Sequence, residues 1–206
     1  MGRRSDHTRK QLEELIVAEG HRLIAEVGFA RFSAREVAKR IGYSVGTIYN
    51  VFANLDDLML AINGRTFLLW ADSVTKGLQD GGADRIAVLV ASYFDFAMTN
   101  RNLWTAIYDH RLAPGVAFPE RYAKQRRVLT GLLEEEIARV LPSDNASRAP
   151  ELARSLLATV HGHCVFAING TFALLDERDP HGAALARVRE TLAAAGATMP
   201  AAEVRP

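Results

Sequence analysis

Apolar residues recur every three or four positions through most of this 206-residue chain, the spacing that lines one face of a helix at about 100° per residue. No stretch alternates as a strand would, and there is no internal repeat. The spacing predicts a helix over residues 8–28, with Leu12, Ile16, Leu23 and Val27 as its stripe. Two short helices follow within 33–52, then longer ones at 55–79, 84–99, 103–112 and 119–141. An almost uncharged helix spans 150–176, and a last one runs from Pro180 to about 195, with Asp179 and Pro180 at its start and Gly196 past its end. In 119–141 the pattern points Val128, Leu132 and Val140 inward and most of the Glu134–Glu136 charges outward. The expected fold is all-α. Residues 1–54 form an N-terminal three-helix unit, and 55–206 form a larger helical regulatory domain.

The stretch from Ser33 to Phe52 carries the densest local signals. Ser33 and Glu36 stand as a capping box, Gly42 occupies the left-handed position that ends a helix, and Ser44 is placed to cap the next one. Val45, Ile48 and Phe52 then share one side of the second helix. Gly46, Thr47 and Asn50 face away from them, with Tyr49 at the border. A glycine inside a helix costs about 1 kcal/mol relative to alanine. An outward Gly46 therefore suggests close approach by something outside the chain. Small uncharged side chains with hydrogen-bonding groups suit a helix lying in the major groove of DNA.

These residues resemble the helix-turn-helix of the tetracycline-repressor (TetR) family. Ser33, Arg35, Val37, Ala38, Gly42, Ser44, Gly46, Thr47, Tyr49, Phe52 and Leu58 fall at matching places in one register. Two positions depart from the pattern. Tyr43 replaces a small apolar residue, and Leu55 replaces a lysine that usually touches phosphate. The resemblance implies phosphate contacts from Arg9, Lys10, Arg35 and Tyr49, with Ser33 and Val45 beside them, and base contacts from Gly46, Thr47 and Asn50. It also implies a homodimer on a palindromic operator, built on the last two long helices, and a small-molecule effector. VHGH at 160–163 resembles a "WHG"-type C-terminal domain of the family, with Val160 in place of tryptophan.

Charge adds one point. Residues 1–54 hold nine Lys and Arg against six Asp and Glu, whereas the rest holds sixteen against eighteen. The basic excess lies with the helix-turn-helix, and Arg3, Arg4, Arg9 and Lys10 supply much of it. A single cysteine, Cys164, leaves no internal disulfide and fits a reducing cytoplasm. The stretch Ser155–Leu175 lacks Asp, Glu, Lys and Arg, yet it contains two histidines, Asn169 and two glycines. It reads as a helix buried on nearly all sides, not as a membrane span.

The second domain offers aromatic residues that can line a mostly apolar cavity. The candidates are Phe67, Trp70, Tyr93, Trp104, Tyr108 and Tyr122, with His161 as a polar group. His161 and His163 sit about 160° apart on a helix, so they and Cys164 cannot converge on one metal ion. No metal or cofactor is expected. An enzyme using the same pocket and a protein-binding adaptor are the rival readings, and no phosphate loop or nucleophile–base pair supports the first. The chain reads as a ligand-responsive DNA-binding regulator, a repressor, without enzymatic activity.

Overall fold

The computed structural model describes residues 7–116 and 118–200; Arg3 and Arg4 lie outside them. Every regular element among the described residues is helical: α1 Arg9–Val27, α2 Ala34–Arg40, α3 Val45–Val51, α4 Leu55–Asp80, α5 Arg85–Thr99, α6 Arg101–Asp109, α7 Glu120–Val140, α8 Ala149–Ile168, α9 Thr171–Leu174 and α10 Pro180–Ala194, with single 3-10 turns at Phe29–Arg31 and Ala146–Arg148. No described helix is long and apolar enough to cross a membrane. The chain forms two compact units. One comprises Met1–Leu69 and Asn100–Arg126, the other Trp70–Thr99 and Arg127–Pro206.

In the first unit, Ile16, Leu23 and Ile24 of α1 meet Val37 and Ala38 of α2, Ile48 of α3, and Leu58, Met59 and Ile62 of α4. Leu103 and Ala106 of α6 complete this core, which explains why the unit extends beyond residue 54 and takes in a later segment. Phe29 and Phe32 pack against its edge. The helix ends follow local chemistry. Thr8 and Gln11 form a reciprocal capping box on α1. Ser33 accepts from the Glu36 amide but receives nothing in return, because the Glu36 carboxylate pairs with Arg40. Arg40 also reaches Glu19 and Glu26 of α1, which ties α2 to α1 through charge-assisted bonds.

In the second unit α8 and α10 pack together and both meet α5. Three expectations change here. Val128 is 48% exposed, and the buried positions of α7 beyond residue 126 are instead Leu129, Glu136 and Ile137. Glu136 points inward because both its oxygens accept from the Arg85 guanidinium, which also donates to the Leu78 carbonyl. The uncharged helix stops at Ile168, where Gly170 turns left-handed at φ 74° and starts the one-turn α9. Helix α8 also buries only one face in the single chain, through Leu152, Leu156, Val160 and Cys164. Its opposite face, Ser155, Ala158, Gly162 and Phe166, is exposed.

Two groups link stability to acid. Burial, reinforced by the Arg65 charge, lowers His21 from 6.5 to about 4. The folded protein therefore resists a proton that the unfolded chain accepts, and stability falls as pH drops through that window. The Arg85 hydrogen bonds hold Glu136 below its ordinary 4.5, so its contribution is present above that value and is lost as pH falls further. Thermal melts between neutral pH and pH 3 should therefore lose stability in two stages. His21→Leu should flatten the upper stage and Glu136→Gln the lower; if neither variant alters the profile, these assignments are wrong.

Candidate nucleic-acid interface

Helix α3 is seven residues long, too short to be stable alone. It is held by Ile48, fully buried, and by Phe52, at which it ends. The Ser44 hydroxyl accepts from the Thr47 amide at 3.2 Å and lies 3.0 Å from the Thr47 hydroxyl, which fixes that side chain as well as the helix start. Ahead of it, Gly42 adopts φ 75°, a region that only a residue without Cβ enters freely. With Ile48 inward, Gly46, Tyr49 and Asn50 are exposed, and Val45 and Thr47 are half-buried at the flanks. A Cβ added at Gly46 would meet only Ser44 Oγ, at 3.6 Å. Nothing within the chain therefore requires glycine there.

The remaining predicted contacts lie on the flanking elements. Ser33 and Arg35 are exposed at the start of α2. Lys10 is exposed and only loosely paired with Glu14, at 4.0 Å. Arg9 reaches across to donate to the Val51 carbonyl at 3.4 Å, a cation at the carbonyl end of α3, where the helix dipole favours it. A second link runs from just ahead of α1 to the turn before α3: His7 Nδ1 lies 2.9 Å from the Tyr43 hydroxyl. Sequence reasoning missed His7. Its signal was the oversized Tyr43 in the turn, which the structure uses to hold the start of α1 beside the helix-turn-helix. Leu55, in place of the usual lysine, is exposed.

The candidate ligand residues divide between the two units. Phe67, Trp104, Tyr108 and Tyr122 belong to the first. There Trp104 and Tyr108 meet edge to face, Phe67 is half-buried, and Tyr122 bonds Asp57. Trp70, Tyr93 and His161 come together in the second: Trp70 stacks on Phe96 and meets Tyr93 edge-on, while the Tyr93 hydroxyl lies 2.9 Å from His161 Nδ1. Beside Tyr93 is a cavity of about 50 Å³ whose other walls are aliphatic, including Leu89, Ile137, Leu156, Val160 and Val188. Aliphatic walls look like ordinary core in a sequence, so no signal marked them. His163 donates instead to the Thr159 carbonyl, and burial pushes the Cys164 thiol up to about 11, as suits a packed side chain.

The family model for bacterial regulatory proteins of the tetR family matches residues 16–62, and that for the tetracyclin repressor-like C-terminal domain matches residues 86–200. The chain belongs to the TetR family. The HTH-type transcriptional regulator Rv1816 of Mycobacterium tuberculosis is 25% identical over 142 residues, covering 67% of this chain and 60% of that relative's length. Two solved structures share the fold. A protein of unknown function from Rhodococcus sp. RHA1 is 20% identical, with a TM-score of 0.68 over 95% of this chain and 99% of that one. RolR in complex with resorcinol is 15% identical, with a TM-score of 0.64 over 94% and 97%.

Gly46→Ala separates the two reasons a glycine can stand in this TetR-family helix. Because the site is open and helical, alanine should raise stability, by up to about 1 kcal/mol. The same methyl should weaken DNA binding about tenfold, seen as a higher melting temperature alongside a weaker gel shift. A variant that binds DNA as well as the wild type would show that nothing approaches this backbone.

Proposed function

We propose that this protein is a dimeric, sequence-specific DNA-binding regulator of the cytoplasm, a repressor released by a small hydrophobic or aromatic ligand, and not an enzyme. The observation that carries the reading is the outward face of α3. Its small, uncharged, hydrogen-bonding surface is held rigidly by a buried opposite side, inside a helix-turn-helix that matches the family model. Gly46, Thr47 and Asn50 read base edges. Arg9, Lys10, Arg35 and Tyr49 bind phosphates, and Ser33 and Val45 border the same surface.

The dimer uses the exposed face of α8, where Ser155, Ala158, Gly162 and Phe166 align without charge, together with α10. An apolar face of this kind calls for a partner, and a two-fold axis presents two reading helices to a palindromic operator. RolR, whose structure holds resorcinol, supports an aromatic effector. The aliphatic cavity beside Tyr93 supports one that is mainly apolar with a single hydrogen-bonding group, met by Tyr93, whose hydroxyl is paired with His161. Trp70 packs behind Tyr93. Helix α4 supplies residues to both units without a break, so a ligand that prefers one arrangement of it lowers DNA affinity by its differential affinity for the two states.

Gel shifts across a set of duplexes test the roles. Arg9→Ala should weaken all complexes alike and reduce the salt slope by about one. Asn50→Ala should reduce discrimination at one base position, by about 1–3 kcal/mol. If neither changes binding to any duplex, the DNA reading fails. Sedimentation should give twice the chain mass of 22.6 kDa, and Ala158→Glu should halve it. A wild-type chain that sediments as a monomer at working concentration contradicts the dimer.

A further inference from the structure

Two neighbouring acids in the first turn of α4 are held by residues from far along the chain, within the first unit. Asp57 is 7% exposed. Its Oδ2 accepts from the Ala53 amide at 3.0 Å, and its own amide donates to Asn54 Oδ1 at 2.9 Å. Its Oδ1 accepts from the Tyr122 hydroxyl at 2.6 Å and pairs with the Arg121 guanidinium, both in the first turn of α7. Beside it, Asp56 Oδ1 lies 3.0 Å from Nε2 of His110, which caps the end of α6.

The position of Ala53 gives this cluster its meaning. It directly follows Phe52, where α3 ends, so its peptide sets the direction in which the chain leaves the reading helix. One oxygen of a single buried carboxylate holds that peptide, and the other is held by α7. A carboxylate removed from water needs its oxygens satisfied. Arg121 is a long side chain that is mostly exposed, whereas Tyr122 is 6% exposed with its ring packed. Tyr122 is thus the rigid donor that fixes the carboxylate plane. Burial raises the phenol above its ordinary 10, so it remains a donor throughout the working range of pH.

We propose that Tyr122 is a positioning residue for DNA recognition: through Asp57 it fixes the peptide at Ala53, and with it the orientation of α3. The proposal rests on α3 being the DNA-reading helix. Removing the hydroxyl leaves Asp57 free to turn toward Arg121, and the Ala53 amide loses its fixed acceptor. The reading face then spends part of its time misaligned, with all its own residues intact.

The probe is the duplex that wild-type protein retains most tightly from a random pool, with affinity measured by fluorescence anisotropy. Y122F should bind it about tenfold more weakly, about 1.4 kcal/mol, with its base preference unchanged and the Ala53 amide exchanging hydrogen faster. In a D57N background, Y122F should cause no further loss. Binding within twofold of wild type overturns the proposal. So does an equal loss with and without D57N, or a loss that follows a lowered melting temperature while Ala53 exchange is unchanged. Failure of the wild type to retain any duplex would defeat the reading of α3 itself, and this proposal with it.

Discussion

Ile48 is the side chain on which the reading surface depends. A helix of two turns does not persist in water, so α3 exists because Ile48 is sealed into a core made by α1, α2, α4 and α6. Burying that side leaves the rest of the helix no choice of direction. Gly46, Tyr49 and Asn50 face solvent as a geometric consequence, and Ser44 holds Thr47 at the edge of the same surface. Specific recognition needs side chains whose positions are settled before DNA arrives. Here the hydrophobic effect does the settling, and the polar groups are left facing solvent.

Close packing around that core limits what the reading unit can tolerate. At Gly20, α1 approaches α4 so closely that a Cβ would come within 2.5 Å of Ile62 Cδ1. Arg40 ties α2 to Glu19 and Glu26 of α1, Asp57 ties the exit of α3 to α7, and Asn102 of α6 donates to the Ala25 carbonyl at 2.8 Å. The unit is therefore more than a helix-turn-helix on a stalk. Leu103 and Ala106 share the core that seals Ile48 of α3, so a later segment of the chain helps to hold that helix.

Much of this was legible because its causes are local. Ser44, Gly42 and Asp179 act on neighbours within four residues, and each stands in the structure where its chemistry requires. The inward side of α3 was equally plain, since Ile48 and Phe52 are far more apolar than anything opposite them. Where the pattern misled, a distant partner decided. Glu136 looks like one more surface charge until Arg85, some fifty residues earlier, is brought to it. The apolar spacing points Val128 inward, but Leu129 and Ile137 fit the packed face better, and a shift of one position turns a helix by about 100°. Tyr122 resembled a cavity wall, as any aromatic residue in such a domain does, and its tie to Asp57 depends on topology alone. The aliphatic cavity was invisible for a related reason: a wall and a core use the same residues.

The central claim is that the small polar face of α3 reads DNA, twice, in a two-fold arrangement. Sequencing the duplexes that the wild-type protein retains from a random pool tests it most directly. The account predicts one short half-site, present in two inverted copies at constant spacing. Retention without any shared sequence, or a single motif with no inverted partner, would contradict it.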